Sequence, residues 1–347
     1  MKLSYLSLLT ASLLAAPALA SNHDIGQQFN LDPAKAPAQN FDLSKWKINL
    51  PELTTEGSRS RKGKTLEIGK KELSNVDTPY VHPKWFYTDA ESGAMVFVAP
   101  NTAPTTPNSK NTRSELRAML ADSYSAPSNN FAISSHKNAE EFGSIGGQMT
   151  ATLSVDQVST SGNYKKTGAF SVVIGQIHGS DNEPLKIVYR KLPEHEHGSL
   201  TWNYELNPPT EMKNAKDENG KKLRKDIRHD VFGQYNLKKG SSDPTDGIKL
   251  GEVFSYDVNI KDNIMHLTFT KNPNSAEPVV KTYDVDLAKG KYQGHDIDLG
   301  YGQDWMYFKA GAYNQCNTKK SSSACEWRGM EAGDYTQASF YQLVLNQ

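Results

Sequence analysis

From Phe41 onward the chain breaks into short apolar or alternating runs separated by turn signals. Examples are Ala94-Met-Val-Phe-Val-Ala99, Gly147-Gln-Met-Thr-Ala-Thr-Leu-Ser-Val155, Phe170-Ser-Val-Val-Ile174, Lys186-Ile-Val-Tyr-Arg190, Phe254-Ser-Tyr-Asp-Val-Asn-Ile260, Met265-His-Leu-Thr-Phe-Thr270 and Phe340-Tyr-Gln-Leu-Val-Leu345. Their length, β-branched content and period of two predict strands, bounded by turns at Glu91-Ser-Gly93, Gly146-Gly147 and Lys239-Gly-Ser-Ser242. No long stripe of helical period interrupts them; short helices are expected only at residues 67–72 and 286–289. The pattern predicts an all-β sandwich or barrel.

Three strand-like segments differ from the rest because one face of each carries functional groups. They are Asn111-Thr-Arg-Ser-Glu-Leu-Arg117, Gly175-Gln-Ile-His178 and Tyr307-Phe-Lys-Ala-Gly-Ala-Tyr-Asn-Gln315. Alternate side chains of a strand share a face. Arg113, Glu115 and Arg117 therefore align, as do Gln176 and His178, and as do Lys309, Tyr313 and Gln315 with a gap at Gly311. Taken singly, an Arg-x-Glu-x-Arg strand is more often an exposed ion-pair ladder, and a Gln-x-His pair is usually structural. Side by side, the three give a sheet face of cations, amides and proton-transfer groups that no folding argument requires. Such a face suits an acidic substrate.

Charge and length narrow the setting. The 347 residues hold 39 Lys and Arg against 39 Asp and Glu. A nucleic-acid binder would be basic overall, so positive charge here acts locally, as in a cleft for a polyanion. The chain opens with a charged start and an apolar run from Leu6 to Leu19, which ends in Ala18-Leu-Ala20. This reads as a secretory signal cleaved after Ala20, too short for a comfortable membrane span; the expected location is periplasmic or extracellular, with no membrane partner. Residues 21–38 read as a flexible leader, and residues 39–347 as a single domain. Cys316 and Cys325, nine positions apart in an exported chain, are expected to form a disulfide. Residues 193–249 are polar, charged and long for one connection, so they read as a functional loop set or an insertion, or else as a mobile surface excursion with no role. Glu196 between His195 and His197 offers a metal pair without a third ligand in view. Trp46 and Trp305 sit in apolar context and are expected in the core; Trp202, in the excursion, is a candidate for stacking on a sugar ring.

The three segments resemble the markers of polysaccharide lyase family 7, the alginate lyases: an Arg-Ser/Thr-Glu-Leu-Arg strand, a Gln-Ile/Val-His strand and a Tyr-Phe-Lys-Ala-Gly-x-Tyr-x-Gln strand, in this order. Phe41-Asp-Leu-Ser-Lys-Trp-Lys-Ile-Asn-Leu-Pro51 is similar to the family's N-terminal opening, so the resemblance covers roughly residues 41–347. It implies a β-jelly-roll sandwich of two antiparallel sheets with a concave cleft, and β-elimination on a 4-linked uronate polymer. That chemistry needs a group to hold the carboxylate as charge builds on it, a base for the carbon-5 proton and an acid for the leaving oxygen. Arg113, with forked donors, and Gln176 suit the first role, His178 the base and Tyr313 the acid. These four match the family's catalytic quartet. In the family's usual scheme His serves as base for guluronate, and Tyr serves both roles for mannuronate. Glu115 reads as the orienting partner of the arginines, and with Arg117, Lys309 and Gln315 it completes the expected substrate-binding set. Ile177 tilts the expectation toward guluronate-containing alginate. The resemblance implies no metal or organic cofactor and no nucleic acid, and a monomer is expected. Two rivals remain. A glycoside hydrolase would need paired carboxylates across the cleft. A non-catalytic binding module would explain the cations but not the His and Tyr beside them.

Overall fold

The computed structural model describes residues 22–54, 64–107, 109–122, 127–224, 226–290, 298–316, 325–326 and 328–347. The signal segment and the loop between the two cysteines lie outside them. Two antiparallel sheets face each other. In spatial order the first contains Ile227–Phe232, His197–Tyr204, Leu185–Arg190, Ser171–His178, Tyr307–Asn314, Arg113–Ala118, Trp46–Leu53 and Thr65–Ile68; Ile248–Lys249 also pairs with His197–Tyr204. The second contains Val279–Asp286, Ile264–Lys271, Val253–Lys261, Gly147–Gln157, Tyr335–Asn346, Met95–Pro100 and Phe86–Thr88. Sequential hairpins form part of each sheet, but Tyr307–Asn314 between Ser171–His178 and Arg113–Ala118, and Tyr335–Asn346 between Gly147–Gln157 and Met95–Pro100, join distant parts of the chain, as in a jelly roll.

Alternation explains the layering. In Val253–Lys261, buried Phe254, Tyr256, Val258 and Ile260 face inward and half-exposed Ser255, Asp257 and Asn259 face out. The inner faces meet over a core that includes Trp46, Phe97, Phe340, Leu116 and Ile177, with the Phe97 and Phe340 rings edge to face at 5.2 Å. Ile177 is fully buried, as alternation predicts. Close packing also dictates one glycine: a Cβ on Gly175 would lie 2.7 Å from the Tyr256 hydroxyl.

The helix expectations shift by a few residues. Residues 67–72 divide between the end of strand Thr65–Ile68 and a one-turn helix, Lys70–Leu73. At 286–289 the strand Val279–Asp286 runs into a turn instead. The stretch read as a flexible leader differs more. It forms the helices Asn22–Gln28 and Pro37–Asn40. Ile25 packs against Ala94, Val253 and Tyr341, while Ala38 joins the main core. Its few apolar residues are too sparse to show a period, yet Ile25, Phe29, Leu31 and Ala38 all pack against buried clusters.

The stretch 193–249 is not one excursion. It supplies three strands to the first sheet, His197–Tyr204, Ile227–Phe232 and the short Ile248–Lys249, with longer connections between them. Trp202 is buried there and stacks on His229 at 4.0 Å; it is a core residue, not a sugar platform. The stretch reads as polar because its connections are polar, whereas within His197–Tyr204 the apolar Leu200, Trp202 and Tyr204 alternate with Ser199, Thr201 and Asn203.

Candidate active site

Five adjacent strands of the first sheet carry the polar face predicted from sequence, and cross-strand register sets its order. Gln176 lies opposite Lys309, Lys309 opposite Arg117, and Arg117 opposite Lys47. This is a row of one amide and three cations across four strands. In the next row Gly311 faces Glu115, Glu115 faces Asn49, and Asn49 faces Glu67. In the third row Tyr313 faces Arg113. Gly311 has φ +137°, and any Cβ there would sit 2.6 Å from the Ser114 carbonyl oxygen. Only glycine permits this close pairing opposite Glu115. Above the rows lies a cleft of about 810 Å³, lined among others by Arg113, Arg117, Gln176, His178, Lys309 and Tyr313.

Glu115 is the electrostatic centre of this face. It is 2 % exposed. Its carboxylate accepts from Arg113 Nη1 at 2.8 Å, pairs with the Lys309 ammonium, and accepts from Gln176 Nε2. Burial alone would raise its pKa, but Lys309 and Arg113 outweigh burial and hold the carboxyl below the usual carboxylate range. Burial and the neighbouring Arg113 depress Lys309 to about 8, despite Glu115. Glu115 is thus the anchor of the cations and does not line the cleft; this corrects its assignment to the substrate-binding set.

The proton-transfer groups are each fixed before any ligand arrives. The Ser109 hydroxyl donates to Asn111 O at 2.9 Å, which leaves its oxygen to accept from the Tyr313 hydroxyl at 3.0 Å. The Arg113 guanidinium lies 4.0 Å over the Tyr313 ring. The His178 ring stacks on Tyr307 at 5.1 Å with an 8° interplanar angle. His178 Nδ1 bonds the Gly179 carbonyl, which assigns the proton to Nδ1 and leaves Nε2 as the basic lone pair. Burial, then Lys309, lowers its pKa to about 4, so the ring is neutral at pH 7. Gln176 spends one amide donor on Glu115, and its Oε1 has no partner.

Of the remaining sequence candidates, Arg117 lies 4.0 Å over the Tyr307 ring and donates to Asn130 Oδ1 and Ala118 O while still lining the cleft. Gln315 falls away from the site. Alternation would carry it onto the face, but the strand ends at Asn314, and the Gln315 side-chain amide turns back to the Tyr313 carbonyl, off the cleft lining. Trp305 is not core: it lines the cleft and stacks on Tyr307 at 5.9 Å. Residues not singled out from sequence also line it, among them Lys47, Asn49, Glu67, Ser109, Glu183 and Tyr307. Lys47 and Asn49 alternate within Trp46–Leu53, and Tyr307 precedes Lys309 by two, so the same period would have found these three. Cys316 and Cys325 are bonded, Cα to Cα 5.2 Å.

One carboxylate–histidine cluster lies elsewhere. Glu196, His197 and Asp243 bring ligand atoms within 4.8 Å of one another, so Asp243 supplies the third group absent from the sequence reading. Lys249 pairs with Glu196 there and His197 Nδ1 with Asp243 at 2.6 Å, so both carboxylates already have partners, while His195 Nε2 bonds Ser241 O.

The family profile described as alginate lyase matches residues 41–347. An alginate lyase of Klebsiella pneumoniae is 35 % identical over 324 residues, covering 89 % of this chain and 90 % of that protein. Among solved structures, an alginate lyase from Klebsiella pneumoniae superposes with a TM-score of 0.68 at 31 % identity, covering 90 % of this chain and 98 % of the other. The exolytic family 7 alginate lyase AlyA5 from Zobellia galactanivorans superposes at 0.67 with 27 % identity, covering 90 % and 97 %.

Proposed function

The chain belongs to the alginate lyases of polysaccharide lyase family 7, and from its site we propose which residues carry the reaction and which uronate it prefers. It is a polysaccharide lyase that cuts alginate by β-elimination. In our reading the substrate carboxylate settles against Arg113 and Gln176, beside the row of Lys309 and Arg117. This placement stabilises the charge that builds when the carbon-5 proton leaves. His178 Nε2 takes that proton from guluronate. The electron pair of the broken C–H bond forms the new double bond between carbons 4 and 5, the bond from carbon 4 to the bridging oxygen breaks, and Tyr313 protonates the departing oxygen. With mannuronate, Tyr313 serves on both sides of the exchange.

The observation that carries this reading is the placement of two dissimilar proton-transfer groups, a neutral imidazole and a phenol, on either side of a buried Lys309–Glu115–Arg113 cluster. A binding module needs no such pair. A hydrolase needs two carboxylates aimed at the scissile bond, whereas Glu115 is buried beneath two cations. We further propose that guluronate-containing chains are preferred, that the enzyme works as a monomer, and that it is exported after cleavage following Ala20.

The test is the ultraviolet absorbance of products from pure polyguluronate and pure polymannuronate. Elimination creates a conjugated double bond that absorbs; hydrolysis and binding do not. His178→Ala should lose far more activity on polyguluronate than on polymannuronate, because the two epimers present the carbon-5 proton on opposite sides of the ring. Equal losses would overturn the assignment of separate bases.

A further inference from the structure

The hairpin that follows His178 turns back so that a carboxylate meets the imidazole. Glu183 Oε1 lies 3.3 Å from His178 Nε2. Its other oxygen lies 3.2 Å from Lys186 Nζ. Lys186 also pairs with Glu205, and Glu205 accepts from Arg224 Nη2 at 3.1 Å. Backbone bonds lock the two carboxylates together: Glu205 N donates to Glu183 O at 3.0 Å, and Glu183 N to Glu205 Oε2 at 3.3 Å. Glu183 lines the cleft, yet its side chain is only 17 % exposed and Glu205's only 10 %. The chain His178–Glu183–Lys186–Glu205–Arg224 therefore joins the cleft to the stretch 193–249.

We propose that Glu183 is a positioning residue for His178: it is the fixed counter-charge for the imidazolium formed when Nε2 takes the carbon-5 proton, and Lys186, Glu205 and Arg224 hold it in place. The proposal rests on His178 being the guluronate base.

The argument is differential. Before transfer Nδ1 carries the proton, so Nε2 presents a lone pair to the carboxylate and the contact contributes no hydrogen bond. After transfer Nε2 carries a proton and positive charge, and the same contact becomes charge-assisted. An interaction that strengthens along the reaction accelerates it. The need for it is visible in the surroundings. Lys309 on the adjacent strand and Arg113 on the strand beyond it disfavour the imidazolium; Glu115 favours it from beneath them; Tyr307 stacks on the ring; and the Gly179 carbonyl favours it from the same loop. Burial would raise the Glu183 carboxyl, but its hydrogen bond with Glu205 and the charge of Lys186 hold it below the usual range. Glu205 takes the opposite shift, up to about 7, first by burial and then by Glu183. The pair thus keeps its negative charge on the carboxylate nearest the base.

The experiment compares Glu183→Ala and Glu183→Gln in the full enzyme, each alone and combined with His178→Asn, on guluronate and mannuronate oligomers. An opposite charge at this range favours a charged partner by at least about tenfold, so kcat on guluronate should fall about tenfold or more with KM little changed. The loss on mannuronate should be smaller. In the His178→Asn background the second substitution should cost little further, because its effect runs through the imidazole. The acidic limb of the guluronate rate profile should move to lower pH in Glu183→Ala, since a base stripped of its counter-charge holds a proton less well, and Glu183→Asp should restore part of the rate. Three results would overturn the proposal: guluronate turnover within about twofold of the parent in both single variants, equal losses on the two substrates, or losses that multiply independently with His178→Asn. Guluronate turnover retained by His178→Asn alone would remove the base assignment, and the proposal with it.

Discussion

Replacing Glu115 by glutamine keeps the shape of the site and removes only a charge, so its consequence can be worked from the contacts. Arg113 Nη1, Lys309 and Gln176 all converge on this carboxylate, which is 2 % exposed. Arg113 has no escape, because a guanidinium does not deprotonate in proteins; losing its charged hydrogen bond costs about 1.5–3 kcal/mol. Lys309 does have one. With Glu115 present it titrates at about 8, so at pH 7 shedding its proton costs roughly 1–2 kcal/mol, and that caps its share. The two shares total about 2.5–5 kcal/mol, overlapping the usual cost of removing one partner from a buried ion pair, about 3–5 kcal/mol. The pH sign follows from the cap. As pH rises toward 8 the parent's Lys309 begins to lose its proton too, so the deficit of Glu115→Gln shrinks by roughly 1–2 kcal/mol between pH 7 and pH 8.5. Urea unfolding followed by tryptophan fluorescence, at pH 6.5, 7, 8 and 8.5, measures it; buried Trp46 and Trp202 report the core. A deficit under about 1 kcal/mol at pH 7, or one that grows with pH, would refute the account of Glu115 as anchor.

Further outcomes are expected. Tyr313→Phe should lower turnover at least about 100-fold with folding and oligomer binding retained, since only the hydroxyl can deliver the proton; near-parental rates would remove Tyr313 from the acid role. Arg113→Lys should fail despite its retained charge, because lysine offers neither the fork nor the stacking over the Tyr313 ring; parental kinetics would reduce Arg113 to bulk electrostatics. KM for alginate should rise above about pH 8 as Lys309 loses its charge, and Lys309→Met should abolish that rise; a flat KM from pH 7 to 9 in the parent would contradict it. Free thiols should be absent from the exported protein, and reduction of Cys316–Cys325 should cost about 2–3 kcal/mol in urea unfolding; unchanged unfolding after verified reduction would show that the bridge does not clamp the fold.

The sequence revealed most where function and period coincide. Arg113, Gln176, His178, Lys309 and Tyr313 could be placed on one face because each belongs to a strand whose alternate residues are apolar and buried. Two kinds of error followed from the same reasoning. Extending alternation past the true strand end put Gln315 on the face, although the chain turns there and Gln315 N bonds Ser171 O. Judging tryptophans by their immediate neighbours exchanged two roles: Trp202, amid polar residues, is buried by a strand neighbour twenty-seven positions away, His229, while Trp305, amid apolar ones, lines the cleft. What stayed hidden required register between distant strands or a loop's return path. Lys47 joins the cation row only because Trp46–Leu53 pairs with Arg113–Ala118. Ser109 and Glu183 sit on connections, where no period exists to read.

The cleft binds a polyanion, yet its cations are largely committed before the substrate arrives, and this fits catalysis better than free charges would. A wall of unpaired Arg and Lys would hold the ground-state carboxylate tightly and gain little more as the reaction proceeds. Here Glu115 already occupies Arg113 Nη1 and the Lys309 ammonium, so the resting field over the cleft is partly cancelled. The Arg113 Nε–H remains without a partner, and the cations cannot move because the buried carboxylate fixes them. In the proposed reaction, when the carbon-5 proton departs, charge grows on the substrate carboxylate while the positions of Arg113 and Lys309 stay the same, so the interaction strengthens without reorganisation. The same logic governs the proton carriers: Tyr313 is held by Ser109 and Arg113, and His178 by Gly179 and Tyr307. The carboxylates in and beneath the cleft therefore do not oppose binding of an acidic polymer. They hold the cations still and lower their ground-state attraction, so that more of it is expressed in the transition state.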